Sequence, residues 1–357
     1  MALSNPSFNA KTTAEEAAKA LKESITGKNI LLVGATVGSL GGEFLRVIAP
    51  YAKAIWFLSH TKARMQQVVD NAFKALEPNA HRPAMKLIEV DMTSLDSVRK
   101  AAGEVNADKQ PIDLLFLSHG IPQRPQPYYT LEGFETMFAG NYLGSFLLTS
   151  LLLPLLRQAG PSARIVPVSS SSHAMQDFRW DDPHYKLRPQ EWDSQAAYGQ
   201  SKAAQALFTK GLAKKLAADK ITAITLHPGL VMTPGALSCP DSLWIKVGLK
   251  TPDGNWTPLL DKAARPIEQG VSNFVVAGFD PALKGTGCSL NSADIRSSAA
   301  RGGFISIRRI FIPSIDHSGQ WIEDCQIHNE RVAPWVNDEN AERLWVMTEK
   351  MIGHKFF

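Results

Sequence analysis

The sequence predicts an α/β protein built on a doubly wound parallel sheet. Two observations carry that prediction. Six short apolar runs alternate with stretches of helical period, and the first run ends in a glycine-rich turn that leads into a helix. Strands that are apolar at every residue are buried on both faces, as in a parallel sheet covered by helices. Right-handed crossovers then wind the sheet in both directions.

Taken in order, residues 12–24 form a short amphipathic helix, with Thr12 or Thr13 as N-cap and Glu15 or Glu16 in the first turn. The strands are Asn29–Gly34, Ala54–Ser59, Met85–Asp91, Ile112–Ser118, Ala163–Ser169 and Thr222–His227. Helical patterns lie between and after them, near 41–52, 62–77, 94–105, 131–159, 195–218 and 266–278. A last strand and a tail helix at 339–352 close the chain. Residues 286–319 break this rhythm. They are rich in Ser, Gly and Arg, and their apolar piece, Ile305–Ile315, has no helical period. This stretch reads as an insertion dispensable for catalysis, or one whose apolar part pairs at the sheet edge or covers the substrate mouth. The organisation is a single domain over 28–357, preceded by an N-terminal helical arm over 1–27 and carrying a C-terminal insertion.

Composition excludes several classes. Of 357 residues 44% are hydrophobic and 20% charged, which is ordinary for a globular chain. The net charge of +4 comes without a Lys/Arg block, so nucleic acid is not an expected partner. Cys239, Cys288 and Cys325 are odd in number and far apart, with no disulfide framework and no metal-binding spacing, which suits a reducing cytoplasm. The N-terminus has no basic-then-apolar signal pattern. The greasiest run, Phe146–Leu156, holds Thr149, Ser150 and Pro154 and reads as a buried helix, so there is no strong membrane signal.

The first strand ends in Gly34-Ala-Thr-Val-Gly38-Ser39-Leu40-Gly41-Gly42, with a helix beginning at Glu43. Such a turn lets backbone N–H groups meet a pyrophosphate at a helix N-terminus, as in a Rossmann-type fold. No carboxylate ends the second strand at Ser59. His60, Lys62 and Arg64 follow instead, and cations there suit a 2′-phosphate, hence NADP(H), with NAD(H) left open. Lys62 and Arg64 also read as a solvated first helical turn. Asp91 stands where a carboxylate can accept from an adenine amino group, or can cap the next helix.

Further along, Tyr198-Gly-Gln-Ser-Lys202 places a phenol and an ammonium on one helix face. A nearby cation stabilises phenolate and lowers the phenol pKa toward working pH. Ser169 and Ser170 close a strand at the carboxyl edge of the sheet, where ligands bind in such folds. Asn141 lies in an apolar helix and needs a partner. His227-Pro-Gly229 leaves the sixth strand, and Thr233 follows.

Together these phrases resemble the short-chain dehydrogenase/reductase family, over about 28–285 and again near 321–352. Within it they look most like retinol-dehydrogenase-like members of fungi. Asn141-Tyr-Leu-Gly-Ser-Phe-Leu-Leu-Thr149, Val168-Ser-Ser170, Tyr198-Gly-Gln-Ser-Lys202, His227-Pro-Gly229 and the tail Asp338-Glu-Asn-Ala-Glu-Arg-Leu-Trp345 carry the likeness. The resemblance implies a catalytic set of Asn141, Ser170, Tyr198 and Lys202. Tyr198 exchanges a proton while nicotinamide exchanges a hydride, and Ser170 holds the substrate oxygen. Lys202 binds the ribose and acidifies Tyr198, and Asn141 holds a relay water. Gly34, Gly38, Ser39, Leu40, Gly41, His60, Lys62, Asp91, Gly120, Asn141, Tyr198, Lys202 and Thr233 would hold the cofactor. Ser169 competes with Ser170 for its role.

Three departures stand out. The glycine turn is one residue longer than the family's common form. Leu117-Ser118-His119-Gly120 stands where an Asn-Asn-Ala-Gly phrase is usual, losing the strand-linking asparagine. The extra segment 174–194, with Phe178, Trp180, Tyr185 and Trp192, reads as a rim over the substrate or a surface flap. Beyond the Pro-Gly turn, Leu237, Leu243, Trp244, Ile245 and Trp256 suit a bulky hydrophobic carbonyl or alcohol. A place in fungal secondary metabolism follows from the likeness alone, and a homo-oligomer stays open. Two other readings remain: an extended-type epimerase or dehydratase acting on a sugar nucleotide, and a non-catalytic NADP(H)-sensing regulator.

Overall fold

A computed structural model describes residues 3–283 and 320–357. Thr13 starts α1 (Ala14–Ala20) with a capping box: its side chain accepts from Glu16 N–H while Glu16 accepts from Thr13 N–H. α2 (Lys22–Ile25) follows. The N-terminal residues are not a free arm, because Ala14, Ala17, Ala18, Leu21 and Ile25 are buried in the main core.

The strands β1 (Asn29–Val33), β2 (Ala54–Ser59), β3 (Ala84–Glu89), β4 (Leu114–Leu117), β5 (Arg164–Pro167) and β6 (Thr222–Leu226) lie within two residues of their expected bounds. After them come β7 (Gln320–Glu323) and β8 (Gln326–Ile327), and the order across the sheet is β3-β2-β1-β4-β5-β6-β7-β8. Every pair is parallel except β7 with β8. The strand expected after the insertion is therefore present as β7. The expected insertion, 286–319, lies outside the described residues.

Two apolar clusters sandwich the sheet. One joins α3 (Leu40–Ile48), α4 (Lys62–Lys74) and the helix at Ile267–Phe279 to one face. The other joins α5 (Leu95–Asn106), the long helix after β4 and the helices at Ser194–Lys215 and Asp338–Ile352 to the opposite face. The long helix is α6 (Thr136–Phe138), a π-helical turn (Ala139–Leu143) and α7 (Gly144–Ala159) in continuity. It starts five residues later than expected, because Glu135 caps it by accepting from Phe138 N–H. By length and composition the stretch Thr136–Ser162 would suffice to cross a bilayer, but 89% of its apolar window is buried inside the fold. It is the core helix read from the sequence.

The chain continues through α8 (Ser194–Lys215), α9 (Pro234–Leu237), α10 (Asp241–Lys246), α11 (Pro258–Ala263), α12 (Ile267–Phe279) and α13 (Asp338–Ile352). Arg164, buried at the start of β5, donates to the carbonyls of Ala277 and Asp280 at 2.9 Å each. Its charge thus satisfies the C-terminal end of α12, where helix carbonyls lack partners.

The expected rim at 174–194 is a packed excursion. Phe178 and Tyr185 are buried, and the Asp182 carboxylate accepts from the N–H groups of Lys186, Leu187 and Arg188. Arg179 lies over the Tyr185 ring. Of this segment only Met175 reaches the central cleft.

Candidate active site

A cleft of about 640 Å³ opens at the carboxyl edge of the sheet, where β1, β4, β5 and β6 deliver their following loops. The glycine turn forms one wall. Gly34 and Gly38 hold φ of +82° and +74°, a region L side chains rarely adopt. A Cβ on Gly34 would stand 2.4 Å from His119 Cα, and one on Gly41 would stand 2.3 Å from the Gly34 carbonyl oxygen. The helix begins at Leu40, three residues before the expected Glu43. The cause is Ser39, whose hydroxyl accepts from Gly42 N–H and Thr36 N–H and so caps α3. The first N–H groups of α3 have no intrahelical acceptor and face an anion-binding position.

Ser118 replaces the missing asparagine. Its hydroxyl reaches the carbonyl oxygens of Val33, at 3.1 Å, and Gly34, tying the ends of β1 and β4 together. Gly120 lines the cleft as expected. His60 also lines it, but Lys62 and Arg64 do not. A residue the sequence reading passed over stands here: the Glu89 carboxylate accepts from Lys62 N–H at 2.9 Å, closing the α4 N-terminus with a negative charge. Asp91 is turned to a local cap. Its Oδ1 accepts from Thr93 N–H and Oγ1–H, and its neighbours Val90 and Met92 line the cleft in its place.

The polar centre is built from β5 and α8. Ser169 is buried and donates to the Lys202 carbonyl at 2.9 Å. Both serines line the cleft, and with the Ser169 hydroxyl engaged, Ser170 is the hydroxyl beside the Tyr198 phenol. Burial pushes the Tyr198 phenol up to about 12, against the lowering effect of the Ser170 hydrogen bond. Burial also pushes Lys202 down to about 7. Lys202 is not among the causes that move the Tyr198 phenol. In both groups burial disfavours the charged form. The ammonium is 5.6 Å from the Tyr198 ring centroid, turned toward the Val168 carbonyl at 2.9 Å.

Asn141 sits in the π-helical turn, fully buried. Its Oδ1 accepts from Ile121 N–H at 2.7 Å and its Nδ2 donates to Ser201 Oγ at 2.9 Å. Its backbone carbonyl accepts from Ser145 Oγ and from Gln205 Nε2. A carbonyl has two lone pairs, and both are engaged. Asn141 thus joins the loop after β4 to α8. Thr233 lines the cleft, but its hydroxyl caps α9 by accepting from Ala236 N–H.

The outer wall is apolar. Leu243, Trp244, Val247 and Leu249 line it, while Leu237, Ile245 and Trp256 lie outside the lining. Trp256 supports Trp244 edge-on, with ring centroids 5.7 Å apart. Among the described residues no cluster of His, Cys, Asp or Glu is arranged to hold a metal.

Comparison with known proteins places this geometry. A family described as "Enoyl-(Acyl carrier protein) reductase" matches residues 58–256, more than half the chain. A Streptomyces lividans protein named "Probable oxidoreductase" is 35% identical over 261 residues, covering 73% of this chain and 83% of its own. The chain belongs to the short-chain dehydrogenase/reductase family. This short-chain dehydrogenase/reductase is also similar to human retinol dehydrogenase 14, 28% identical over 345 residues, covering 92% of this chain and 87% of that one. Among solved structures, an uncharacterized protein from Mycobacterium paratuberculosis shares the fold, with a TM-score of 0.60 at 21% identity, over 93% of this chain and 96% of that chain. The family is one of oxidoreductases that use NAD(P)(H).

Proposed function

We propose that this enzyme interconverts a carbonyl and an alcohol on a bulky hydrophobic small molecule, using NADP(H), with Tyr198 as the general acid and base. The observation that carries the proposal is the meeting of Tyr198, Ser170 and Lys202 in one cleft, one wall of which is the glycine turn. The glycines fit a dinucleotide, because Gly34 and Gly41 let the turn pack tightly against His119 and Ser118, leaving backbone N–H groups at the start of a helix. Gly34, Ser39, Leu40 and Gly41 would meet the pyrophosphate, and His60 the adenosine end. When bound, the nicotinamide supplies or removes the hydride. The chain handles the proton. A carbonyl oxygen received between Ser170 and Tyr198 takes its proton from the Tyr198 O–H as the C–O double bond is reduced, and Tyr198 is left as phenolate. A charged Lys202 stabilises that phenolate. In the oxidising direction Tyr198 takes the proton back.

Preference for NADP(H) rests on Ser59 in place of a carboxylate, on His60 in the cleft lining and on the cations of Lys62 and Arg64 beyond it. Glu89 opposes it by occupying the N–H of Lys62. The apolar outer wall supports a bulky hydrophobic substrate. The test is consumption of NADPH, with NADH in parallel, over a panel of hydrophobic aldehydes and ketones. Turnover of several members with NADPH favoured is expected. Turnover of none, with the cofactor bound, would overturn the catalytic reading in favour of a sensor.

A further inference from the structure

Three residues beyond Lys202 on α8 lies Gln205, fully buried. Its side-chain oxygen accepts from Lys202 Nζ at 2.9 Å, and its side-chain nitrogen donates to the Asn141 carbonyl at 2.8 Å. Only one orientation of the amide allows both, since an ammonium can only donate and a carbonyl can only accept. Two of the three Lys202 protons are therefore placed, on the Val168 carbonyl and on Gln205, and the third is left toward the cleft that Lys202 lines. Gln205 is itself held by the rigid π-helical turn through Asn141, whose side chain is bonded at both ends. The sequence motif does not use Gln205, and neither does the proton transfer at Tyr198.

We infer that Gln205 is a positioning residue that clamps the Lys202 ammonium, keeping it charged and aimed into the cleft by bridging it to the Asn141 carbonyl. The clamp rests on geometry alone. Its consequence for turnover rests on the reading of Tyr198 and Lys202 given above. The amide oxygen offers the charged form of Lys202 a bond that the neutral form does not need, so removing it favours the neutral amine. The other titratable groups facing Lys202 do not titrate with it. Tyr198 lies on the same helix, with its phenol pushed up to about 12. His119, from the loop after β4, and His227, after β6, are each pushed down to about 4 by burial. The Cys239 thiol, beside Tyr198, is pushed up by burial.

The experiment follows Lys202 directly, by NMR titration of the full chain labelled with ¹³C at the lysine ε-carbon, with Lys202→Met to assign the signal. Gln205→Met keeps the size and removes the acceptor. Gln205→Glu keeps an acceptor and adds a negative charge. The Lys202 midpoint is expected to fall by roughly one pH unit in Gln205→Met and to rise in Gln205→Glu. A merely structural role predicts lower melting temperatures in both variants with no opposed shift. Midpoints that stay at the wild-type value, or that move in the same direction in both, would overturn the clamp. The alkaline limb of carbonyl reduction, measured on the same proteins, should follow the Lys202 midpoint. If the midpoints shift in opposite directions while that limb stays fixed, the clamp stands and the catalytic reading of Lys202 falls.

Discussion

Replacing Gly41 with alanine should damage cofactor binding. The new Cβ would lie 2.3 Å from the Gly34 carbonyl oxygen and 2.8 Å from Ser118 Oγ. Neither neighbour can yield easily. The Gly34 carbonyl is fixed by the Ser118 hydroxyl, and Gly34 itself is pressed against His119 Cα at a backbone angle of +82°. To restore an ordinary contact, helix and turn must part by about 1 Å, which breaks the Ser118 link and moves the first N–H groups of α3. Overpacking of this kind costs about 1–3 kcal/mol. For a chain of this size that is a fall in melting temperature on the order of 1–4 °C. A displacement of this size at the pyrophosphate should weaken NADPH binding about tenfold or more. Thermal melting with and without NADPH, together with fluorescence titration, measures both. Gly103→Ala is the control, since nothing lies within 4 Å of that Cβ and it sits mid-helix in α5. It should leave binding unchanged and hold or raise stability. A Gly41→Ala protein that binds NADPH as tightly as wild type would refute the assignment of this turn.

Two further predictions concern charge. Glu89→Gln should raise the preference for NADPH over NADH by several-fold, because the carboxylate over the α4 N-terminus repels a 2′-phosphate. A Lys62→Ala, Arg64→Ala double variant should lower that preference about tenfold; ratios of kcat/KM unmoved by either change would remove the basis for NADP(H). His173 is buried between the Ser170 carbonyl and the Ala333 N–H, and burial pushes it down to about 4. The unfolded chain binds that proton at higher pH, so the contribution of His173 is full above about 6.5 and is lost as pH falls toward 4. His173→Gln should therefore be less stable at pH 7, while its stability should depend on pH by about one proton less between 6.5 and 4. Denaturant melts at pH 5 and pH 7 measure this, and an unchanged slope would contradict it.

The scaffold was legible because the central strands β1, β4, β5 and β6 are short runs buried at every residue, as in a sheet covered on both faces. Gly34, Gly41, Tyr198 and Lys202 were legible because their spacing is local. What escaped depends on partners brought together by the fold. Gln205 was visible on the Lys202 face of α8, but nothing in the sequence placed the Asn141 carbonyl opposite it, 64 residues earlier. Glu89 meets Lys62 only because β3 pairs with β2 in a register that sets Ser59 beside Glu89. Ser118 looked like a loss because its hydroxyl is shorter than an asparagine side chain, yet it reaches two carbonyls of the neighbouring strand end. The aromatics of 174–194 suggested a substrate rim. Asp182 folds that segment back on itself, so Phe178 and Tyr185 enter the core instead.

The central claim is that Tyr198 moves the proton. Tyr198→Phe keeps the ring and removes the hydroxyl that meets Ser170. On the best substrate of the carbonyl panel, the account predicts a loss of about 10²- to 10⁴-fold in kcat, with NADPH affinity held within a few-fold of wild type. Near-native turnover in a cleanly folded Tyr198→Phe protein would contradict it.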